Sequence, residues 1–112
     1  MAGSGITPIF DNIMNQGILN HNVFSFYFDG EDGQKASRLI LGGTDPSLYQ
    51  GPLLYFPVSD KYYWAVRASH ILVNGQDIGI CKDGCTVVAD TGTTLMTGPK
   101  TELNILLSKF MD

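Results

Sequence analysis

The chain has 112 residues and a formal charge of −4 at pH 7, from 7 Lys and Arg against 11 Asp and Glu. This balance, with no basic stripe, makes nucleic acid and anionic membrane surfaces poor partners, and no stretch is long and apolar enough to cross a bilayer as a helix. An apolar content of 44% with 11% aromatics argues against disorder, while 13 glycines and 5 prolines cut the chain into short segments that favour β-structure with many turns.

Residues 7–17, TPIFDNIMNQG, predict a short helix. Thr7 suits the cap, Pro8 the first helical position and Gly17 the stop, while Ile9, Phe10, Ile13 and Met14 share one face. VFSFYF (23–28) is aromatic and β-branched, the composition of a strand covered on both faces. DGEDGQ (29–34) reads as its turn and RLILGG (38–43) as the returning strand. A polar turn follows around Asp45-Pro46. PLLYFPV (52–58) and YYWAV (62–66) then read as strands. ILVNGQDIGI (71–80) is a hairpin signal, because Asn-Gly is the preferred pair for a tight type I′ turn. TVVA (86–89) reads as a buried strand, and a last helix after Gly98-Pro99 carries Leu103, Leu106, Leu107 and Phe110 on one stripe. The sum is a mostly-β architecture with two short helices.

Cys81 and Cys85 enclose the loop KDG. That gap lets two Cα atoms approach to about 5.5 Å, the separation a disulfide needs. Two inert thiols are the alternative. A metal would need further ligands, and His21 and His70 lie in unrelated segments, so no metal is expected. A disulfide implies an oxidising compartment, yet no secretory signal follows Met1; this reads as a processed or excised piece of a longer protein.

The sharpest chemical signal is TVVADTGTTLMTGP (86–99), where Asp90 is the sole charge. Gly92 lets the backbone fold back and aim an amide at the carboxylate, and Thr91, Thr93 and Thr94 can hydrogen-bond nearby oxygens. Such bonds favour the ionised form, and a carboxylate so placed can act as a base toward water. A plainer alternative is a turn in which Asp bonds its own backbone and Gly supplies a positive φ.

The chain resembles the pepsin-like aspartic proteases over nearly its whole length. TPIFDNIMNQG resembles the helix late in that family's amino-terminal lobe, and VFSFYF, LGGTDPSLYQG and YYWAV resemble the strands crossing into the carboxy-terminal lobe. CKDGC resembles the small disulfide loop, and VVADTGTTLMTGP the second active-site motif. The resemblance implies part of a bilobal acid protease fold, with residues 1–43 ending the amino-terminal lobe and 44–112 forming the first half of the carboxy-terminal lobe. It implies that Asp90 is the second of two catalytic aspartates, sharing a proton across a bound water. Gly92 and Thr93 would bond its carboxylate, Thr91 would lock the two active-site loops together, and Thr94 and Tyr63 would face the substrate cleft. Trp64 beside Tyr63 is expected to pack in the core or at the lobe interface.

The first catalytic Asp is expected outside this chain, because none of Asp11, Asp29, Asp32, Asp45, Asp60, Asp77, Asp83 and Asp112 has the required setting of small residues. The implied function is an aspartic-type endopeptidase, secreted or lysosomal, acting on peptide or protein substrates without a cofactor. Its necessary partner is the missing amino-terminal lobe, and the isolated chain is expected to be inactive. The alternatives are a non-catalytic peptide-binding member, an inactive truncated fragment, and a one-motif protease completed by dimerisation.

Overall fold

The computed structural model describes residues 5–30 and 36–111. Asp32, Asp112 and most of the turn expected at 29–34 lie outside these. Among the described residues, two helices and six strands form a mostly-β chain that divides into two compact units between Leu54 and Tyr55.

In the first unit, helix α1 (Ile9–Asn15) starts behind Pro8, and no side chain caps it. The expected Thr7 cap therefore does not form. The stop is as expected: Gly17 takes φ 69° and its amide bonds the Met14 carbonyl at 3.0 Å. Strands β1 (Phe24–Tyr27) and β2 (Arg38–Leu41) pair antiparallel, with Phe24 opposite Leu41 and Tyr27 opposite Arg38. Alternation puts Phe24, Phe26 and Phe28 on one side. Phe10 of α1 meets Phe24 edge-on at 5.1 Å, and the contacts continue from Phe24 to Phe26 and from Phe26 to Phe28. Aromatic edges and faces attract through their quadrupoles, so this row ties the helix to the strand. The polar turn forms a 3-10 turn at Pro46–Leu48, where the Asp45 carboxylate accepts the Ser47 amide at 3.0 Å.

The second unit contains two small sheets and a helix. Strands β3 (Ala65–Ala68) and β6 (Cys85–Val88) pair antiparallel, and the hairpin of β4 (Leu72–Val73) and β5 (Gln76–Asp77) is inserted between them in sequence. Asn74 and Gly75 both take positive φ, 51° and 80°, the backbone of a type I′ turn. Helix α2 (Lys100–Ser108) begins after Pro99 and half-buries Leu103 and Leu106, while Leu107 and Phe110 stay exposed.

Two strand expectations fail. Residues 52–58 form no strand. Pro52 and Pro57 lack amide donors, and Leu54, Tyr55 and Phe56 remain 76%, 84% and 68% exposed, with no neighbouring strand among the described residues to bond. The strand expected at 62–66 begins only at Ala65, because Asp60 ties the amides of Tyr62 and Tyr63 into a turn. Burial is also lower than expected, since Phe26, Val87 and Val88 are all exposed.

Among the described residues the buried hydrophobic ones are Ala65 and Ile80, both in the second unit. Among the described residues, local hydrogen bonds and short antiparallel pairings define these elements.

Candidate active site

The site is built at the end of a paired strand. β6 runs beside β3 in the register Ala65↔Val88 to Ala68↔Cys85. One more backbone bond, from the Ala89 amide to the Trp64 carbonyl at 2.9 Å, extends the pairing to the residue before Asp90. The turn that follows folds back on the carboxylate. The Gly92 amide donates to Asp90 Oδ1 at 3.0 Å, and the Thr93 hydroxyl donates to Oδ2 at 2.7 Å. The Thr93 amide also bonds the Asp90 carbonyl at 3.2 Å, closing the turn.

Gly92 is not in the left-handed region, so positive φ is not the reason for glycine here. A Cβ at this position would lie 3.3 Å from Asp90 Oδ1. Glycine permits the close approach of the amide to the acid.

Each carboxylate oxygen thus holds one donor. The Thr93 hydroxyl first, and then the Gly92 amide, hold the Asp90 pKa below the usual aspartate value, with desolvation opposing them. Asp90 is exposed, and so are the threonines of the turn, Thr91, Thr93 and Thr94. Of these, Thr93 supplies the hydroxyl that reaches the carboxylate, and Thr91 and Thr94 are not among its donors.

The strand is anchored at its other end by a disulfide. Cys81 and Cys85 are bonded, with Cα atoms 5.3 Å apart. The turn they close holds Cys81 at φ 65° and Gly84 at φ 82°, with the Gly84 amide bonded to the Cys81 carbonyl at 2.9 Å. Cys81 Sγ lies 3.3 Å from the Ala68 carbonyl, which is packing contact, since a disulfide sulfur has no proton to donate.

Tyr63 is half exposed, in the turn that precedes β3. Trp64 is 59% exposed in this chain, so of the two packings expected for it, in the core or at the lobe interface, the first is not made here. Among the described residues no group of three or more His, Cys, Asp or Glu could hold a metal ion. A shallow depression in the same unit is lined by Val73, Asn74, Gln76, Asp77, Ile78 and Lys109, without Asp90.

Two polar features lie outside what the sequence motifs indicate. His70 Nδ1 lies 3.0 Å from Asp77 Oδ2, and the Gly79 amide, the main cause of a lowered Asp77 pKa, donates to the same carboxylate. Asp60 organises the turn before β3. The Asp-x-x spacing of Asp60 to Tyr62 is the available signal for this, because aspartate commonly accepts the amide two residues on.

The family model for eukaryotic aspartyl proteases matches residues 1–111. Pepsin A-5 of Mus musculus is 46% identical over 99 residues, which is 88% of this chain and 25% of the relative. The pregnancy-associated glycoprotein of Equus caballus is 45% identical over 100 residues, 89% of this chain and 25% of the relative. Cathepsin D of Clupea harengus is 42% identical over 103 residues, 91% of this chain and 26% of the relative. The chain therefore spans about a quarter of the length of the curated relatives it matches.

Proposed function

This chain belongs to the eukaryotic aspartyl protease family, and on that premise we propose that its parent protein is an acid endopeptidase to which this chain contributes one of two catalytic aspartates, Asp90. The observation that carries the reading is the Asp90 carboxylate itself, exposed at the end of a paired strand with one donor on each oxygen. Residues 1–43 belong to the end of the amino-terminal lobe and 44–112 to the first half of the carboxy-terminal lobe.

The second carboxylate comes from the part of the amino-terminal lobe outside this chain. Two carboxylates a few ångströms apart cannot both ionise easily, so the pair holds one proton and a water between them. The ionised member takes a proton from the water as its oxygen attacks the peptide carbonyl carbon. The protonated member gives its proton to the carbonyl oxygen. The resulting diol collapses as the carboxyl that took the water's proton gives it to the amide nitrogen, the other carboxylate takes a proton back from a diol hydroxyl and the C–N bond breaks, with no covalent enzyme intermediate. Gly92 and Thr93 orient Asp90, Thr91 joins the two active-site loops, and Thr94 and Tyr63 line the cleft for peptide or protein substrates. No cofactor enters this scheme. The disulfide suits an oxidising, secretory or lysosomal compartment.

The second reading is peptide binding without turnover, in a parent whose amino-terminal lobe lacks the partner aspartate. Cleavage of unfolded protein at acid pH by the full-length parent separates the two. The wild type is expected to cleave and to be blocked by a pepstatin-type inhibitor, and Asp90→Asn is expected to abolish cleavage. Retained cleavage by the Asp90→Asn protein removes Asp90 from the mechanism. The 112-residue chain alone is expected to be inactive.

A further inference from the structure

Asp60 lies thirty positions from Asp90 in sequence, yet a continuous series of bonds leads from one to the other. Asp60 Oδ1 accepts the Tyr62 amide at 2.8 Å, and its carbonyl accepts the Tyr63 amide at 3.2 Å. Asp60 and Ala65 form an antiparallel bridge, and the Ser59 amide reaches the Ala65 carbonyl at 2.8 Å, so the turn is closed at its base. Ala65 has no exposed surface, which makes it a fixed point for this turn. The next residue back, Trp64, presents the carbonyl that accepts the Ala89 amide at 2.9 Å, one residue before the carboxylate.

From this series we propose that Asp60 is a positioning residue for Asp90, acting through the Trp64 carbonyl and the Ala89 amide. The inference rests on the reading of Asp90 as a catalytic acid. With its side chain as cap, the turn holds the Trp64 carbonyl in one direction, and the last bond of the ladder fixes where the Asp90 loop begins. Without the cap, the Tyr62 amide turns to water and the carbonyl loses its fixed direction. The role requires an acceptor oxygen at position 60 and no charge, which separates positioning from electrostatics. A small displacement of a reacting group is enough to slow catalysis while leaving substrate binding intact.

The test uses the full-length parent with Asp60→Ala, Asp60→Asn and Asp60→Ser. Asparagine retains an acceptor oxygen in nearly the same place, and serine offers a shorter one. Asp60→Ala is expected to lower kcat roughly three- to tenfold, and to speed amide exchange at Ala89 relative to Val87. Asp60→Asn is expected to restore both, and Asp60→Ser to fall between. Should the alanine protein fail to accumulate, the serine protein carries the same comparison. Wild-type kcat and wild-type exchange at Ala89 in Asp60→Ala or Asp60→Ser overturn the proposal, and so does an asparagine protein as impaired as alanine. An inactive wild-type parent would instead refute the protease reading, while Ala89 exchange would still report whether Asp60 holds the loop.

Discussion

Replacing both cysteines by serine in the parent protein sets two opposing effects against each other. The cross-link joins residues four apart, and closing so short a ring removes only about 2 kcal/mol of chain entropy from the unfolded state. Against this, the closed turn keeps Cys81 at φ 65°, where a residue with a Cβ costs about 1–2 kcal/mol. The Gly84 amide bond to Cys81 and the β3–β6 ladder hold the turn independently of the sulfurs, so only part of that strain relaxes when the bond is cut. The net loss for Cys81→Ser with Cys85→Ser is therefore about 1–2 kcal/mol. Cys81→Gly with Cys85→Ser loses the same cross-link but suffers no Cβ clash. Glycine's extra freedom in the unfolded chain offsets part of the gain, leaving it more stable than the serine pair by about 0.5 kcal/mol. Urea unfolding of the parent and both variants, with equal m values, measures the differences. A loss above about 3 kcal/mol for the serine pair would refute the local accounting. A glycine pair no more stable than the serine pair would refute the backbone strain.

Thr93→Ala removes the first cause of the lowered Asp90 pKa, so that pKa is expected to rise, while Thr93→Ser keeps the hydroxyl and the low value. Because the folded pKa lies below the unfolded one, the stabilisation from these bonds is present above the unfolded pKa and lost as pH falls through the folded pKa. Carboxyl carbon NMR titration of Asp90 in the 112-residue chain, without the partner carboxylate, follows this directly, and an unchanged pKa in Thr93→Ala contradicts it. Gly84→Ala would place a Cβ 2.8 Å from Arg67 Nη2 at φ 82°. The guanidinium end can swing away from its bond to Thr86, so the backbone sets the cost, expected at about 1–2 kcal/mol in the same urea assay.

Much of the candidate site was legible because its interactions are local. Asp90, Gly92 and Thr93 lie within four residues, and their bonds follow from short side chains and one missing Cβ. The Cys81–Cys85 bond and the Asn74-Gly75 turn are likewise decided by residue type and spacing over a few positions. The turn expected around Asp45-Pro46 forms for the same reason, with Asp45 accepting the amide of Ser47. Strand pairing is different in kind. An aromatic and aliphatic run such as 52–58 has the composition of a strand, but a strand exists only when another backbone meets its amides and carbonyls. No such partner reaches it among the described residues. The tertiary structure alone decided that Ala65–Ala68 lies beside Cys85–Val88, and that a carbonyl at Trp64 sets the last fixed point before Asp90. Local chemistry specifies what a residue can bond, whereas long-range backbone pairing specifies what it meets.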